Sequence, residues 1–340
     1  MYSFNNDYSE GAHPRILQAL MEANLVQNAG YSLDIHTEHA KELIKKEIKR
    51  EDVDIHLIVG GTQTNLLAIS AALRPHQAVI CAETGHINVH ETGAIEATGH
   101  KVLGYDTPDG KLTVAEIQKS LDWHTDEHMV QPKMVYISNS TEVGTQYSKA
   151  ELTVLSRFCR QHGLYLFLDG ARMGAALTSS VNDLTLQDIA KLVDVFYIGG
   201  TKNGALFGEA LVICSPDLKP DFRFMIKQRG AMLAKGWLLG IQFEELFQNN
   251  IFYEMAEHAN EMAEQLRKGF VKCGYSFHWD STTNQLFPIL PNDVIGKLEK
   301  DFIFSPQVKI DDTHTCVRLV TSWATKPEGV AAFLNALENL

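Results

Sequence analysis

The chain has 340 residues, and its 30 lysines and arginines against 42 aspartates and glutamates give a net charge of −12. This length is enough for a large core, most simply one α/β domain with a smaller one. The acidic balance argues against nucleic acid or an anionic membrane as a partner, because both bind basic surfaces. No stretch approaches the roughly 20 unbroken apolar residues of a membrane span.

The amino-terminal sequence MYSFNNDYSEGAHP has neither an apolar run nor a basic flank, so we expect no signal peptide. The five cysteines, at positions 81, 159, 214, 273 and 316, are scattered and odd in number. This pattern favours reduced core residues over disulfides or metal ligands. We therefore expect a cytoplasmic protein without a metal site.

Helical spacing begins after Pro14 with apolar residues that continue to Leu25, and a second amphipathic helix is predicted over residues 38–50. Short β-rich runs then alternate with helical patterns. The predicted strands are 55–59, 78–82, 101–105, 134–138, 164–168, 193–198 and 210–214.

Helical patterns lie between most of these strands, which predicts a mostly parallel seven-stranded sheet with helices on both faces. The last two strands are too close for a crossover helix, so 210–214 is predicted to be antiparallel. After a helical region over 217–272, short apolar runs at 285–290 and 316–321 and a helix near 327–337 predict a small α+β unit. We expect a large domain over 1–249, including an amino-terminal arm, and a small domain over 250–340.

Two of the apolar runs each deliver a charged residue at the carboxyl end of a strand. Asp169 follows LYLFL, and Lys202 follows VFYIGGT. Ligands of open α/β sheets bind outside the carboxyl ends of strands, so we expect this acid and this amine to face one cleft. The pair suits pyridoxal 5'-phosphate (PLP), whose aldehyde forms a Schiff base with lysine and whose ring nitrogen a carboxylate keeps protonated.

Other charged residues leave alternatives open. Lys235, in GAMLAKGW, competes with Lys202, but it lies in a helical pattern typical of a surface or intersubunit charge. A lysine at a cleft-facing strand end is desolvated, which lowers its pKa and exposes a nucleophilic amine. Arg172 either forms a salt bridge with Asp169 or binds a substrate carboxylate through its planar guanidinium. Arg318, in the strand CVRLV, needs either a protein carboxylate or the substrate's.

The turn Gly60-Gly61-Thr62 follows a strand and opens a helix, whose free amides can bind a phosphate. A tight turn without an anion is the alternative. His86, just after the run AVICA, either stacks on a cofactor ring or is a solvated loop histidine. Glu91, five residues later, is either a proton-transfer carboxylate or a helix-start acid.

These residues together resemble the PLP-dependent threonine aldolases and related β-eliminating lyases, which have the aspartate-aminotransferase-like fold (fold type I). The resemblance covers nearly the whole chain, from FNNDYSEGAHPRILQAL to VRLVTSW. Its specific element is LDGAR followed by Lys202, thirty-three residues after Asp169. GGTQTN resembles the family's phosphate turn, and His86 and Glu91 keep the family's His-to-Glu interval.

The resemblance implies a role for each matching residue. Lys202 would form the Schiff base, and His86 would stack on the ring. The implied cofactor-binding residues are Lys202, Asp169, Gly61, Thr62, His86, Arg172 and Thr201. The implied substrate-binding residues are Asn6, Arg172, Arg318 and His128, the last in HMVQPKMVYIS.

The implied activity is that of a carbon–carbon lyase. It would cleave a β-hydroxy-α-amino acid such as threonine, allo-threonine or phenylserine to glycine and an aldehyde. His86, Glu91, His128 or a water held by them would act as the base. The family is generally a homodimer or homotetramer whose sites a neighbouring subunit completes, and Arg229 or Lys235 would be such a contribution here.

Departures from the family pattern leave substrate choice open. Asn6-Asp7 replaces Ser-Asp, Asn203 replaces the usual glycine after the lysine, and residues 138–141 read SNST where the family has a Glu-Asn-Thr strand end. The preference for L or D, threo or erythro substrates and the accepted β-substituent are therefore not predicted.

The sequence leaves three alternative functions to compare with this one. Another PLP-dependent lyase, a racemase or a transaminase would use the same fold. A dinucleotide-binding oxidoreductase would need Gly-x-Gly-x-x-Gly after the first strand, which GGTQTN lacks. A non-catalytic PLP-binding protein would not need Lys202, Asp169 and both arginines together.

Overall fold

The computed structural model describes residues 1–340 apart from the side chain of residue 249. Its strands are β1 (Tyr2–Ser3), β2 (Asp54–Ile58), β3 (Gln77–Ala82), β4 (Lys101–Tyr105), β5 (Gln131–Ser138), β6 (Tyr165–Asp169), β7 (Val195–Gly199), β8 (Glu209–Ile213), β9 (Gln285–Leu286), β10 (Ile289–Pro291), β11 (Phe302–Ile303), β12 (Ser305–Lys309) and β13 (His314–Val320). Its helices are α1 (Pro14–Ala23), α2 (Ile35–Ile48), α3 (Gly61–Ala72), α4 (His86–Val89), α5 (Val114–Trp123), α6 (Lys149–Gln161), α7 (Met173–Leu177), α8 (Leu186–Leu192), α9 (Phe222–Gln228), α10 (Trp237–Phe247), α11 (Ile251–Lys272), α12 (Asn292–Leu298) and α13 (Pro327–Glu338).

The seven predicted strands form one sheet in the order β2-β8-β7-β6-β5-β3-β4. β8 runs antiparallel to β2 and to β7, whereas the other neighbouring strands are parallel. The prediction that the last strand is the reversed one is therefore confirmed. Its reason holds as well, because the link from β7 to β8 is a turn and not a crossover helix.

Helices cover both faces of this sheet. Along β3, Ala78 and Ile80 belong to one apolar cluster, while Val79 and Cys81 belong to another. α2, α6, α8 and α10 pack on the first face, and α3 and α9 pack on the second. Because both faces are covered by helices, the strands are nearly continuous apolar runs in the sequence.

The carboxyl-terminal part contains a third apolar core. β13 lies at its centre and pairs antiparallel with β9, β10 and β12, while α12 and α13 cover it. The first turn of α11 packs in the large core through Phe252, whereas Phe270 near its end packs in this smaller one. The domain limits 1–249 and 250–340 stay a prediction, and the side chain of residue 249 lies outside the described residues.

The amino-terminal arm packs against this smaller core. β1 pairs in parallel with β11, and Phe4 is fully buried beside Phe333. The periodicity did not predict this pairing, and it did not predict α12, β11 or β12 either. β1 and β11 have only two residues each, and β12 has no buried residue that would give an apolar pattern. The apolar spacing of α1 continues to Leu25, but the helix ends at Ala23. Within the described residues, each helix is too short or too polar to cross a membrane.

Candidate active site

The carboxyl ends of β5, β6 and β7 meet at one edge of the large sheet. Ser138 lies opposite Asp169 in the parallel ladder, and the turn after Asp169 packs tightly on β7. A Cβ atom on Gly170 would lie 1.9 Å from the carbonyl oxygen of Tyr197, and one on Gly199 would lie 2.3 Å from that of Ala171. Only glycine allows this close approach, which brings the residues that follow β6 and β7 into one cleft.

Asp169 is buried, and three donors satisfy its carboxylate. Oδ1 accepts from the Ala171 amide at 2.9 Å, and Oδ2 accepts from Tyr136 Oη at 2.5 Å and Asn65 Nδ2 at 3.3 Å. Burial and, next, the negative charge of Asp169 raise the pKa of Tyr136 well above its usual value. The Tyr136 phenol therefore keeps its proton and acts as a donor.

The same network extends to His86 through Glu91. Oε1 of Glu91 accepts from Asn65 Nδ2 at 2.7 Å and lies 2.8 Å from His86 Nδ1. The Glu91 side chain is fully buried, whereas that of His86 is 33% exposed. A carboxylate at Nδ1 favours the tautomer with its proton there, which leaves His86 Nε2 as the free nitrogen.

Lys202 lies in the turn after β7 and is partly buried. Burial, and then the charge of Arg172, lower the pKa of its amine, while Asp7, Asp169 and Glu209 oppose that shift. A lowered pKa makes the neutral, nucleophilic amine available nearer to neutral pH. The electrostatic influence of Asp169 on Lys202 is consistent with both groups facing one cleft, as predicted.

The residues around Lys202 hold its turn from several sides. Asn203 Nδ2 donates to the Phe252 carbonyl at 2.8 Å, and the His13 amide donates to the Gly204 carbonyl at 2.8 Å. Thr201 Oγ1, predicted to bind the cofactor, donates to the buried carboxylate of Glu209 at 2.8 Å. Burial raises the pKa of Glu209 to about 8.

The predicted phosphate turn lies at the start of α3. The first intrahelical bond joins the Thr64 amide to the Gly60 carbonyl at 3.0 Å, so the amides of Gly61 and Thr62 have no acceptor inside the helix. Gly61 lies against β7, since a Cβ atom there would be 3.4 Å from the Tyr197 hydroxyl. Free amides at the amino end of a helix provide an anion site.

Arg172 pairs with Asp7, not with Asp169 as one prediction had it. Its Nε and Nη2 donate to the Asp7 carboxylate at 2.7 and 3.1 Å, and Asn284 Nδ2 donates to the same carboxylate at 3.0 Å. Burial alone would raise the pKa of Asp7, but the charges of Arg172 and Lys202 and these hydrogen bonds lower it overall. Asp7 therefore holds the Arg172 guanidinium in place.

Arg318 lies beside this pair but has no acid of its own among the described residues. Its Nη2 donates to the Asn5 carbonyl at 3.4 Å, and its Nε is buried without a partner. Burial and then the nearby charge of Arg172 lower its pKa. The sequence left two partners open for Arg318, a protein carboxylate or the carboxylate of the substrate. Among the described residues, the structure shows no protein carboxylate bound to Arg318.

Asn6 lies next to Asp7, but its side chain stabilises a turn. Its Oδ1 accepts from the Tyr8 amide and from Ser9 Oγ, both at 2.9 Å. The predicted substrate contact through Asn6 would compete with these two bonds.

His128 is not brought to the cleft within one chain. It lies exposed on the loop before β5, at the amino end of a strand whose carboxyl end borders the site. A strand of eight residues spans about 25 Å. A catalytic role for His128 therefore requires a second copy of the chain.

The two candidates for intersubunit contributions lie in different surroundings. Lys235 is exposed in the turn before α10, not inside a helix. The Arg229 carbonyl accepts from Gln63 Nε2 at 3.3 Å, which places Arg229 beside the first turn of α3 of its own chain.

Several site residues had no signal in the sequence. Glu142 follows β5 and accepts from Ser138 Oγ at 2.7 Å and from the His86 amide at 3.0 Å. Burial and then the charge of Asp169 raise its pKa. Asn65 and Tyr136 were also missed, although Asn65 belongs to the motif GGTQTN and is a polar residue on a buried helix face.

The chain is similar to known proteins over most of its length. Residues 9–291 match the model of the family described as β-eliminating lyase. A low specificity L-threonine aldolase of Pseudomonas aeruginosa is 32% identical over 338 residues, which cover 96% of this chain and 94% of that protein. A second one, of a Pseudomonas species, is 33% identical over 268 residues, covering 77% of this chain and 76% of that protein.

A solved structure of a threonine aldolase from Leishmania major superimposes with a TM-score of 0.99. It is 55% identical and covers 100% of this chain and 99% of its own. The fold class predicted from the sequence, that of the fold-type-I PLP enzymes, is confirmed by such neighbours.

Proposed function

The chain belongs to the β-eliminating lyase family, and from this premise we propose that it is an aldolase for β-hydroxy-α-amino acids. It cleaves a threonine-type substrate to glycine and an aldehyde. The observation that carries the proposal is the arrangement of Lys202 and Asp169 at the ends of neighbouring strands, with the unpaired guanidinium of Arg318 nearby.

The residues at the strand ends fit PLP. Lys202 would hold its aldehyde carbon covalently, Asp169 its ring nitrogen, and the amides of Gly61 and Thr62 its phosphate. The free helix amides and the amine of lowered pKa support this assignment. When bound, PLP supplies the electron sink that accepts the electrons of the breaking Cα–Cβ bond.

The arginines would bind the substrate carboxylate. Arg318 has a buried Nε without a partner, and Arg172 keeps its Nη1 outside the pair with Asp7. A carboxylate that enters here compensates a guanidinium that has already lost much of its water. The guanidinium groups also fix the orientation of the Cα–Cβ bond, which decides which bond of the amino acid breaks.

His86 is the best-placed base within one chain. Glu91 holds the proton at Nδ1, so Nε2 can accept the proton of the substrate β-hydroxyl. Glu91 itself is fully enclosed and would act through His86. His128 stays a candidate only from a neighbouring subunit.

A second copy of the chain would cover an exposed apolar surface. α1, the loop that follows it and the first residue of α2 leave large apolar side chains open to solvent: Leu17, Met21, Leu25, Val26, Leu33 and Ile35. Several exposed apolar side chains in one segment are typical of an interface between subunits. We therefore propose a homodimer or homotetramer, with the cytoplasm as its compartment because all five cysteines have free thiols.

The proposal is tested by spectroscopy and by products. Purified protein with PLP should show a visible absorption band. Borohydride should abolish this band and leave the reduced cofactor covalently attached to Lys202, not to Lys235. Threonine should then give glycine and acetaldehyde, and phenylserine should give glycine and benzaldehyde. A colourless protein would refute the cofactor assignment, while alanine or pyruvate as products would assign the site to a racemase, a transaminase or another lyase.

A further inference from the structure

Glu209 is a buried acid that no motif singles out. It is the first residue of β8, and 4% of it is exposed. Its Oε2 accepts from the Gly200 amide at 3.1 Å, and its Oε1 accepts from Thr201 Oγ1 at 2.8 Å. Thr201 Oγ1 accepts in turn from the Gly208 amide at 3.0 Å. The carboxyl group therefore holds both residues that precede Lys202.

The position of Glu209 in the sheet connects this turn with the anion site. Glu209 pairs with Gly199 on β7, the strand that leads to Lys202, and with Ile58 on β2, the strand that leads to the Gly61–Thr62 turn. α3, whose free amides form that anion site, packs against both β7 and β8. One carboxyl group thus lies between the two places where PLP would be anchored.

The charged groups around Glu209 come from three elements. Lys202 on the turn after β7 favours its ionised form, whereas Asp169 on β6 opposes it. The Tyr197 phenol on β7 is also near, and its pKa is raised well above the usual value by burial, then by Asp169 and Glu209. Burial is the largest influence on Glu209 and places its pKa at about 8, so both of its forms are accessible near neutral pH.

A phosphate ester is a dianion above about pH 6. Its charge beside an ionised carboxylate in a buried site is unfavourable, because little solvent screens the repulsion. A carboxyl group that takes up a proton removes this repulsion and still accepts a hydrogen bond from the Gly200 amide. Proton uptake and phosphate binding are then linked.

We propose that Glu209 is a positioning residue that fixes the Lys202 turn and takes up a proton from solvent when a phosphate dianion binds at Gly61 and Thr62. This inference rests on the proposed function, since it takes PLP as the source of the dianion. It concerns the binding of PLP to the enzyme, and not the cleavage of the substrate.

Calorimetric titration of the cofactor-free enzyme tests it. PLP and pyridoxal both consume the Lys202 amine, and only PLP carries the phosphate. The free ligands also differ in ring protonation and in the hemiacetal that pyridoxal forms, so the difference in protons taken up between them is compared in the wild type and in Glu209→Gln, which cancels the contribution of the ligands. At pH 8, in buffers of different ionisation enthalpy, this difference should be about half a proton larger in the wild type, since a group with a pKa of about 8 is half ionised there. Glu209→Gln should lose that half proton.

Asp194→Asn is the matched control. Asp194 is also an acid whose pKa burial raises, but it lies before β7, at the opposite end of the sheet from the cleft. This variant should keep the full difference. If Glu209→Gln keeps the difference as well, or if Asp194→Asn loses it, the inference is wrong even though PLP binds.

Positioning is measured separately from charge. Glutamine retains an acceptor for the Gly200 amide, so Glu209→Gln should bind PLP within about 3-fold of the wild type. Glu209→Ala leaves the Gly200 amide and the Thr201 hydroxyl without this partner and should lower PLP affinity about 10- to 100-fold. Equal affinity of the Ala variant would overturn the positioning role. A wild type that does not bind PLP would refute the proposed function together with this inference.

Discussion

The two sides of the cleft are built differently. The floor consists of Asp169, Asn65, Glu91 and His86, which come from β6, α3 and the segment after β3. The wall consists of Arg172, Asp7 and Arg318, which come from the turn after β6, the amino-terminal arm and β13. Hydrogen bonds link the floor from Asp169 to His86, although Asn65 Oδ1 and Glu91 Oε2 are buried without a partner, whereas the wall contains a guanidinium that has no acid partner among the described residues.

This difference bears on which side has its geometry before a ligand binds. Hydrogen bonds join Asp169, Asn65, Glu91 and His86 in one buried network, so the floor residues are held in place without a ligand. An unpaired buried charge is costly, and the wall therefore gains most when an anion binds. If the proposed assignment holds, the cofactor residues are in place before PLP binds, and the substrate carboxylate supplies the anion that the wall lacks.

The largest effect should come from Lys202→Ala, which removes the amine from the edge of the floor. We expect kcat/KM to fall roughly 10⁴-fold or more, because the reaction loses its covalent anchor. The visible absorption band should be absent as well. Lys235→Ala, an exposed lysine in a turn, should keep the band, and loss of the band in that variant would reassign the anchor.

Asp169→Asn should lower kcat roughly 10³-fold, because a neutral amide cannot hold a protonated ring nitrogen. The amide also offers Tyr136 and Asn65 a poorer acceptor in a buried site. Near-ultraviolet circular dichroism would show whether the floor keeps its packing. Activity close to that of the wild type would mean that the acid has only a structural role.

Removal of either arginine of the wall should weaken substrate binding, but only one of the two removals should lower stability. Arg318→Ala should raise KM about 100-fold and leave the free energy of unfolding unchanged, since no acid loses its partner. Arg172→Ala should also raise KM, but it should lower the free energy of unfolding by about 3–5 kcal/mol, since Asp7 is left buried and unpaired. Urea unfolding at pH 7 separates the two cases. Equal stability of both variants would contradict the comparison.

The ion pair between Asp7 and Arg172 should depend on acid pH. The pKa of Asp7 is lower in the folded protein than the usual 3.8. Its stabilisation is therefore fully present above the unfolded value and is lost as the pH falls through the folded one. Asp7→Asn should cost about 2–4 kcal/mol at neutral pH, and the cost should shrink as the pH falls below the unfolded value of 3.8 and through the lower folded one. A cost that does not vary with pH would show that the charge of Asp7 contributes nothing.

Glu91→Gln should have the smallest effect, a fall of about 10-fold in kcat. Glutamine can still bond to His86 Nδ1, but it no longer favours a proton there. Glu91→Ala, which also removes the bond, should be distinctly slower.

The sequence indicated single residues on both sides of the cleft, but it did not predict the contacts that join them. Asp169 and Lys202 stand at the ends of apolar runs, and parallel strands bring such ends together whatever the details of packing. Asp7 and Arg172 are 165 residues apart, and no periodicity links an arm to a strand end. Tyr136 was missed for another reason. It lies in an apolar strand, and its hydroxyl group does not change the hydrophobic pattern of that strand.

Residue 128 shows the limit of carrying a role from a resemblance into one chain. The resemblance implies a histidine near the substrate, but the fold places His128 at the far end of β5. Only an oligomer, in which His128 comes from a neighbouring subunit, would place this histidine near the substrate. Crystals of the assembled protein, or loss of activity on dilution that parallels dissociation, would decide this.

The pairing of β1 with β11 has a practical consequence for handling the protein. Tyr2 and Ser3 are fixed to the smaller core, and Asp7 reaches the Arg172 guanidinium only a few residues later. Removing the first residues would break this pairing and should change substrate affinity without altering the catalytic groups. Met1 is 80% exposed and Leu340 is 47% exposed, so a tag at either end should be tolerated as long as residues 2–7 are kept.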